Sequence, residues 1–553
     1  MPILSTDRDP DPSASGRQER LASLDRLAAL DGHGLVLLRK ARILLDGART
    51  EDALLVAGDR IRAVGETARA EAAASPAGTV HELELPGLTV AAGFIDAHTH
   101  LVHMGFGLAR PDLEGAPSAA AALERVRAAL ASHPPERPLI AEHWDDSDWA
   151  PGDRLERADL DRLAPSTPVV LRRVCGHRAV ANGAALARLA RHPFGADYAT
   201  RGLVEAASGV LVEDAAMRLG EVFPPAADEV SAALEAALTH AARLGITGVH
   251  DIVTPGALRA EQACRRNGRL TLRITAQVAI EHLEALERVG LAGGFGDPWL
   301  KLGGVKLYLD GSLGARTAAL TSPYADRSGE RGLLLIDEER LRALVRRIDA
   351  LGLEAVIHAI GDRAIAAALG ALELLGPEAV REHRHRIEHC ELTPDELVER
   401  LARIGATASM QPNFVTRWGM PGGMYLTALG SARHEEMNRF RSLRERGVPL
   451  AFGSDAMPMG PLSGLAGAVK HPLEQERLTV AEALAAYTRG SAWAGFAEAE
   501  TGSIEAGKLA DLVILDGDPL SAHDPGADCR VVATVVGGRC VFESPGPWAR
   551  AAR

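Results

Sequence analysis

The chain has 553 residues, 46% of them hydrophobic, 24% charged and 4% aromatic. This composition can bury a large core, and it excludes disorder, collagen and a membrane bundle as whole-chain descriptions. Acidic residues (74) outnumber basic ones (61), and the net charge of -13 argues against a nucleic-acid binder, which needs a net basic face. The five cysteines are widely separated and lack CxxC spacing, so they indicate neither a disulfide framework nor a zinc ribbon and fit a reducing cytoplasm.

The opening MPILSTDRDPDPSASGRQER mixes charge with Pro and Ser and contains no apolar run long enough for an export signal. Residues 1–33 are expected to be a disordered tail. No window approaches the roughly 18 apolar residues of a membrane helix, so no membrane association is expected. From Gly34 to residue 91, short apolar runs alternate with Asp-Gly and Gly-Asp turn signals, the texture of β-hairpins. Residues 503–545 have the same texture, and the two ends are expected to form one composite β-sandwich. Between them, residues 92–502 alternate strand-like runs with Ala/Leu/Arg/Glu-rich helical stretches, the signature of βα units around a parallel sheet. The clearest runs are 93–98, 245–251, 272–278, 303–310, 354–360, 385–390, 406–411 and 449–455. Eight such units predict an α/β protein with a closed (β/α)8 barrel. The stretch of about 104–240 is too long for one crossover and carries its own strand-like runs at 138–144 and 168–174. It is expected to be a subdomain inserted after the first barrel strand, emerging at the catalytic face.

The strongest local signal is Asp96-Ala-His98-Thr-His100 at the end of the first barrel run. Side chains two apart share a strand face, and two imidazoles at a barrel mouth suit a metal ion. Two solvated histidines would be the bland alternative. His358, His389 and Asp455 also end apolar runs, at the rim where barrel enzymes place catalytic groups. Each alone reads as a packed histidine or a capping aspartate; together they point to a metal centre. Lys306 lies within the apolar run GGVKLYLDG, where a buried ammonium is costly unless paired, for example with Asp310, or modified. Carbamylation by carbon dioxide would turn it into an anionic ligand able to bridge two metals.

The ordered motifs GFIDAHTH, RVCGHRAVANGAAL, GITGVHD, VKLYLDGSLGARTAAL, HAIGDRAI, RIEHCEL, SMQPNF, FGSDAMP and GSIEAGKLADLVILDGDP resemble those of the metal-dependent amidohydrolase superfamily. The similarity is greatest to its YtcJ-like branch (amidohydrolase family 3), which includes N-substituted formamide deformylases. The resemblance implies a barrel carrying a composite β-sandwich, with ligands His98, His100, Lys306, His358, His389 and Asp455. Zinc is the default, as one ion, or as two if Lys306 is carbamylated. The implied chemistry is hydrolysis of a C–N bond in an amide or formamide by metal-bound hydroxide, with Asp455 as the catalytic acid–base. Alternatives on the same barrel are a deaminase, an esterase or a catalytically silent binding protein. His177, Asp310, Arg316 and Gln411 are expected to face substrate, with Asn413, Asp362 and Arg363 as further candidates; for Asp310, Arg316, Asp362 and Arg363 the alternative is that they set loop geometry. Trp144 and Trp149 are candidate pocket walls. A small-molecule substrate is the expected partner, and a homodimer is plausible by base rate.

Overall fold

The computed structural model describes residues 27, 29–46, 49–146, 149–173, 178–212 and 214–545. They form two compact units, Val102–Ala237 and the remainder of the chain. In chain order the strands are β1 (Leu35–Asp46), β2 (Arg49–Ala57), β3 (Arg60–Val64), β4 (Val80–Glu84), β5 (Leu88–Ala92) and β6 (Phe94–Thr99). Then come β7 (Leu139–Trp144), β8 (Val169–Arg173), β9 (Arg178–Ala181), β10 (Val204–Glu205) and β11 (Val210–Val212). The series β12 (Ile246–Val253), β13 (Arg273–Ala279), β14 (Leu300–Tyr308), β15 (Glu354–Ala359), β16 (Arg386–His389), β17 (Thr407–Met410) and β18 (Leu450–Phe452) follows. The last three are β19 (Leu512–Asp516), β20 (Arg530–Val536) and β21 (Arg539–Glu543).

Both chain ends build one sheet, ordered β21-β20-β19-β5-β1-β2-β3, with β4 also pairing β1. The register of β1 against β2 shifts between Arg39 and Ile43, and Lys40 there has φ 58°. A bulge of this kind bends a strand. The two halves of β1 therefore take different parallel partners, Leu35–Arg39 pairing β4 and Arg42–Ile43 pairing β5. The bend wraps the sheet around an apolar core that includes Leu38, Leu54, Val56, Ile61, Leu512 and Ile514. The ends meet where β5 runs antiparallel to β19, Ala92 opposite Leu512. Leu27 and Leu30, which precede the expected start at Gly34, are packed into this core; the remaining tail, residues 1–26 and 28, lies outside the described residues.

The barrel is an eight-stranded sheet ordered β6-β12-β13-β14-β15-β16-β17-β18, parallel at every pairing. Such strands are covered on both faces, and every residue of β6 is buried. The ring closes after β18, where the Ser454 and Asp455 N–H groups donate to the His98 carbonyl at 3.3 and 2.8 Å. The intervening helices are amphipathic. Glu338–Ala350, capped by the Asp337 carboxylate, buries Leu341, Leu344, Val345 and Ile348, one face at helical spacing. Six strands match the predicted spans to within two residues at each end, and two differ by three. β14 begins at Leu300 rather than 303, and β18 stops at Phe452 because Asp455 and Ala456 adopt φ of 53° and 54°, leaving the extended region.

Val102–Ala237 contains a second sheet, ordered β10-β11-β9-β8-β7, in which β7 and β8 are the two strand-like runs expected of the insertion. Trp144 and Trp149 belong to its core, their indole N–H groups donating to the Leu171 and Ala116 carbonyls. Of the two roles open to them, pocket wall or packing, their place in this core is that of packing. Among the described residues no helix is long and apolar enough to cross a membrane.

Candidate metal centre

Parallel strands present their C-terminal ends at one rim, and that is where the singled-out residues gather. Along β6, alternation turns Asp96, His98 and the following His100 to the barrel interior. Asp96 is buried and accepts from the Ser454 hydroxyl at 2.5 Å and the Ser454 N–H at 2.9 Å, which stitches the eighth strand to the first. Burial pushes its carboxyl up to about 7. On β16, Arg386 and Glu388 face inward by the same parity, which would turn His389 outward. His389 and Cys390 instead have φ of 69° and 50°, and this left-handed step returns the imidazole to the site. Non-glycine residues held there cost of order 1–3 kcal/mol each and cluster at functional sites; Asp455 is held the same way.

The ligand atoms of His98, His100 and Asp455 lie within 4.8 Å of one another. Asp455 Oδ1 is 3.3 Å from His100 Nε2 and 3.6 Å from His98 Nε2. Ring centroids of His98 and His389 are 4.8 Å apart, and those of His389 and His358 4.4 Å. Burial alone would raise the Asp455 carboxyl, but the hydrogen bond from His100 and the neighbouring His98 and His389 hold it well below the usual range. Burial lowers His98 to about 4 and His389 to about 3, with help from Lys306 and His98 respectively. The same burial puts His358 well below its ordinary value. At neutral pH His98, His358 and His389 are therefore neutral imidazoles beside an ionised Asp455 carboxylate, the protonation state that metal ligands require.

The outer nitrogens fix which atoms are free. Glu388 is held well below the usual carboxylate range, burial being outweighed by Arg386 and His98, so His98 Nδ1–H donates to it and Nε2 keeps its lone pair. His389 Nδ1–H donates to Gln411 Oε1 at 2.7 Å, leaving Nε2. His358 Nε2–H donates to the Gly311 carbonyl at 3.2 Å, leaving Nδ1. Outer hydrogen bonds of this kind set ligand tautomers at metal sites.

Lys306 is fully buried, and its Nζ has no hydrogen-bond partner. The alternative of an ion pair with Asp310 is not realised, since Asp310 accepts instead from the Ala319, Ile360 and Gly361 N–H groups at 2.9–3.1 Å. Burial lowers the Lys306 ammonium to about 8, against the pull of Glu388 and Asp455.

Among the described residues, the other singled-out polar ones make hydrogen bonds within the chain. Asp310 clamps the loops after β14 and β15 by those three bonds. Arg316 pairs with Asp326 and donates to the Leu313 carbonyl, so its guanidinium is committed within its own loop. Gln411 stands behind His389, and the Asn413 amide donates to the Ser454 and Met457 carbonyls at 2.9 and 3.1 Å, holding the turn that carries Asp455. Asp362 accepts from the Thr321 N–H. Asp310, Arg316, Asp362 and Asn413 thus hold loops through backbone hydrogen bonds or a local ion pair, as buried polar groups usually do. His177 lies outside the described residues.

Sequence reasoning missed Glu388, Arg386, His250 and Glu354. Arg386 Nε pairs with Glu388 Oε1 at 2.6 Å, lies 3.4 Å from Glu354 Oε1, and its NH1 group donates to His250 Nδ1 at 2.7 Å. All four are buried. Charged residues two apart in the short strand HRIEHC were the available signal. A second grouping, Asp349, His383 and His385, has a different character. His385 Nδ1 accepts from the Ala355 N–H at 2.9 Å, so its proton sits on Nε2 and faces Asp349 at 3.1 Å. Both nitrogens are used, and neither lone pair is left for a cation.

Comparison with known proteins gives the same architecture a family. Residues 82–542 match the amidohydrolase family model Amidohydro_3. YtcJ of Bacillus subtilis (strain 168) is 32% identical over 91% of this chain and 97% of its own. The N-substituted formamide deformylase of Arthrobacter pascens is 27% identical over 92% and 99%. The crystal structure of an uncharacterized metal-dependent hydrolase from Pyrococcus horikoshii OT3 superposes with a TM-score of 0.78 at 29% identity, covering 90% of this chain and all of that one. The chain belongs to the amidohydrolase family and is a hydrolase of that class.

Proposed function

We propose that this protein is a metal-dependent hydrolase that cleaves a C–N bond in an amide, formamide or related small molecule. One observation carries the reading: His98, His100 and Asp455 converge within ligand distance while His98, His389 and His358 have their outer N–H groups tied away. Those residues and Lys306 would hold one or two divalent ions, zinc first among them for a nitrogen-rich site. A bound ion supplies Lewis acidity, acidifying a water and polarising the scissile carbonyl. The chain's own residues do the rest. Asp455, ionised at neutral pH, accepts a proton from the attacking water at a carboxylate oxygen and returns it to the leaving nitrogen. Glu388 and Gln411 keep the His98 and His389 rings in place.

Lys306 Nζ, 5.0 Å from the Tyr308 ring centroid and without a hydrogen-bond partner among the described residues, fits carbamylation. The neutral amine adds to carbon dioxide, Nζ bonding to its carbon and losing a proton, and the resulting anion suits a second ion better than an ammonium does. The deformylase relative supports formamides as the first compounds to screen. The test is a product assay with N-substituted formamides and simple amides on zinc-loaded protein. Equimolar amine and carboxylate or formate support the proposal. Ammonia released from a ring amine moves the reading to a deaminase, and no turnover of either class overturns it.

A further inference from the structure

The N-terminal ends of the barrel strands, opposite the metal cluster, surround a cavity of about 250 Å3. That is just under the ~300–1,000 Å3 of common ligand pockets. Its apolar walls include Ile95, Val249, Ile274, Phe496 and Leu509, and two nitrogen donors, His250 and Lys301, line it as well.

Each carboxylate around the cavity has an arginine partner: Asp511 has Arg273, Glu500 has Arg60 at 2.9 Å and Asp297 has Arg265 at 2.9 Å. Lys301 has only the Phe496 carbonyl, 3.1 Å from Nζ, and among the described residues it forms no ion pair. Burial lowers its ammonium to about 8, with Glu498 opposing, so it is still mostly charged at pH 7.

His250 supplies the second donor. It is 2% exposed, and its Nδ1 accepts from the Arg386 guanidinium. A guanidinium cannot accept, so the imidazole proton must be on Nε2, where no described residue takes it. His250 and Lys301 thus both offer N–H donors at the cavity lining, and two donors beside apolar walls suit an anion.

We propose that this cavity is a second ligand site, taking a small apolar carboxylate whose oxygens accept from Lys301 Nζ and His250 Nε2. It shares no lining residue with the metal cluster, so it stands or falls apart from the proposed hydrolase activity.

The probe is phenylacetate, titrated by calorimetry into the full chain with metal and after stripping by a chelator. Phenylacetamide is the uncharged control. The expected result is one site of the same affinity in both forms, at least tenfold weaker for the amide. Affinity should drop at least tenfold in Lys301→Met and be kept within threefold in Lys301→Arg. Binding that disappears with the metal, that is indifferent to Lys301→Met, or that is absent up to millimolar phenylacetate overturns the proposal. A crystal soaked with 4-bromophenylacetate decides the matter on unaltered protein, should Lys301→Met fail to fold. A bromine anomalous peak between Phe496 and Ile274 supports the site, and a peak only elsewhere, or none, refutes it.

Discussion

At the scale of single residues, Asp455 and Glu388 do different work beside the same histidines. In the proposed reaction Asp455 is the acid–base group, so Asp455→Asn should keep bound metal within about twofold while kcat falls by roughly 10²–10⁴, the usual span for removing such a group. Metal analysis alongside steady-state rates checks this, and full activity in the variant would end the assignment. Among the described residues Glu388 bonds to His98 and Arg386. Glu388→Gln keeps the shape but removes the charge that fixes the His98 tautomer, and loss of such a partner lowers metal affinity about 10–100-fold. It also strands Arg386, fully buried, beside a carboxyl that burial pushes up to about 8, Glu354; breaking a buried pair costs about 3–5 kcal/mol. Chelator competition, with folding followed by circular dichroism, separates the two effects. Unchanged zinc affinity would remove Glu388 from its positioning role.

At the scale of elements, the site depends on loops whose ends are fastened by buried side chains. Asp310 ties the segments after β14 and β15 with three backbone N–H bonds, so Asp310→Ala strands donors at a cost of about 1–3 kcal/mol apiece. A melting temperature lower by at least several degrees is expected, with kcat reduced because His358 rests against Gly311 in the same loop; a melt identical to wild type would contradict it. His385 fastens the start of β16 to β15 and to the helix Glu338–Ala350. Burial lowers it from 6.5 to about 4, with Asp349 opposing, so the folded chain binds this proton more weakly than the unfolded one. Its contribution is complete above pH 6.5 and is lost as pH falls toward 4, by roughly 3 kcal/mol in all. His385→Gln should therefore show a smaller drop in melting temperature between pH 6.5 and 4 than wild type, and an equal drop would show that His385 does not carry this linkage.

At the scale of the whole molecule, the barrel brings residues 98, 306, 358, 389 and 455 to one rim because eight parallel strands share a direction and the eighth bonds back to the first. Metal loading should report on that assembly. Growth with zinc and bicarbonate is expected to give close to two equivalents per chain, and Lys306→Met to give about one, measured by elemental analysis. Two equivalents in the Lys306 variant would show that no lysine carbamate is needed. Chelation should abolish turnover, and zinc with bicarbonate should restore it.

The amino-acid sequence by itself determined the barrel and the composite sheet, and it named the six residues of the proposed ligand set, of which His98, His100 and Asp455 meet within 4.8 Å. Strand periodicity and apolar runs ending in polar groups are local properties, and the order of the strands follows from parallel βα repetition. Tertiary structure alone decided what stands behind that set. Whether Asp310, Arg316 and Gln411 face a substrate or a backbone carbonyl or N–H depends on which loops cross near them. His389 reaches the site only through a left-handed backbone step that its residue type does not announce. Glu388 and Arg386 became visible as one buried network because residues hundreds of positions apart, His98 and His250 among them, meet inside the barrel. Burial and hydrogen-bond pairing are properties of such meetings, and no window of sequence contains them.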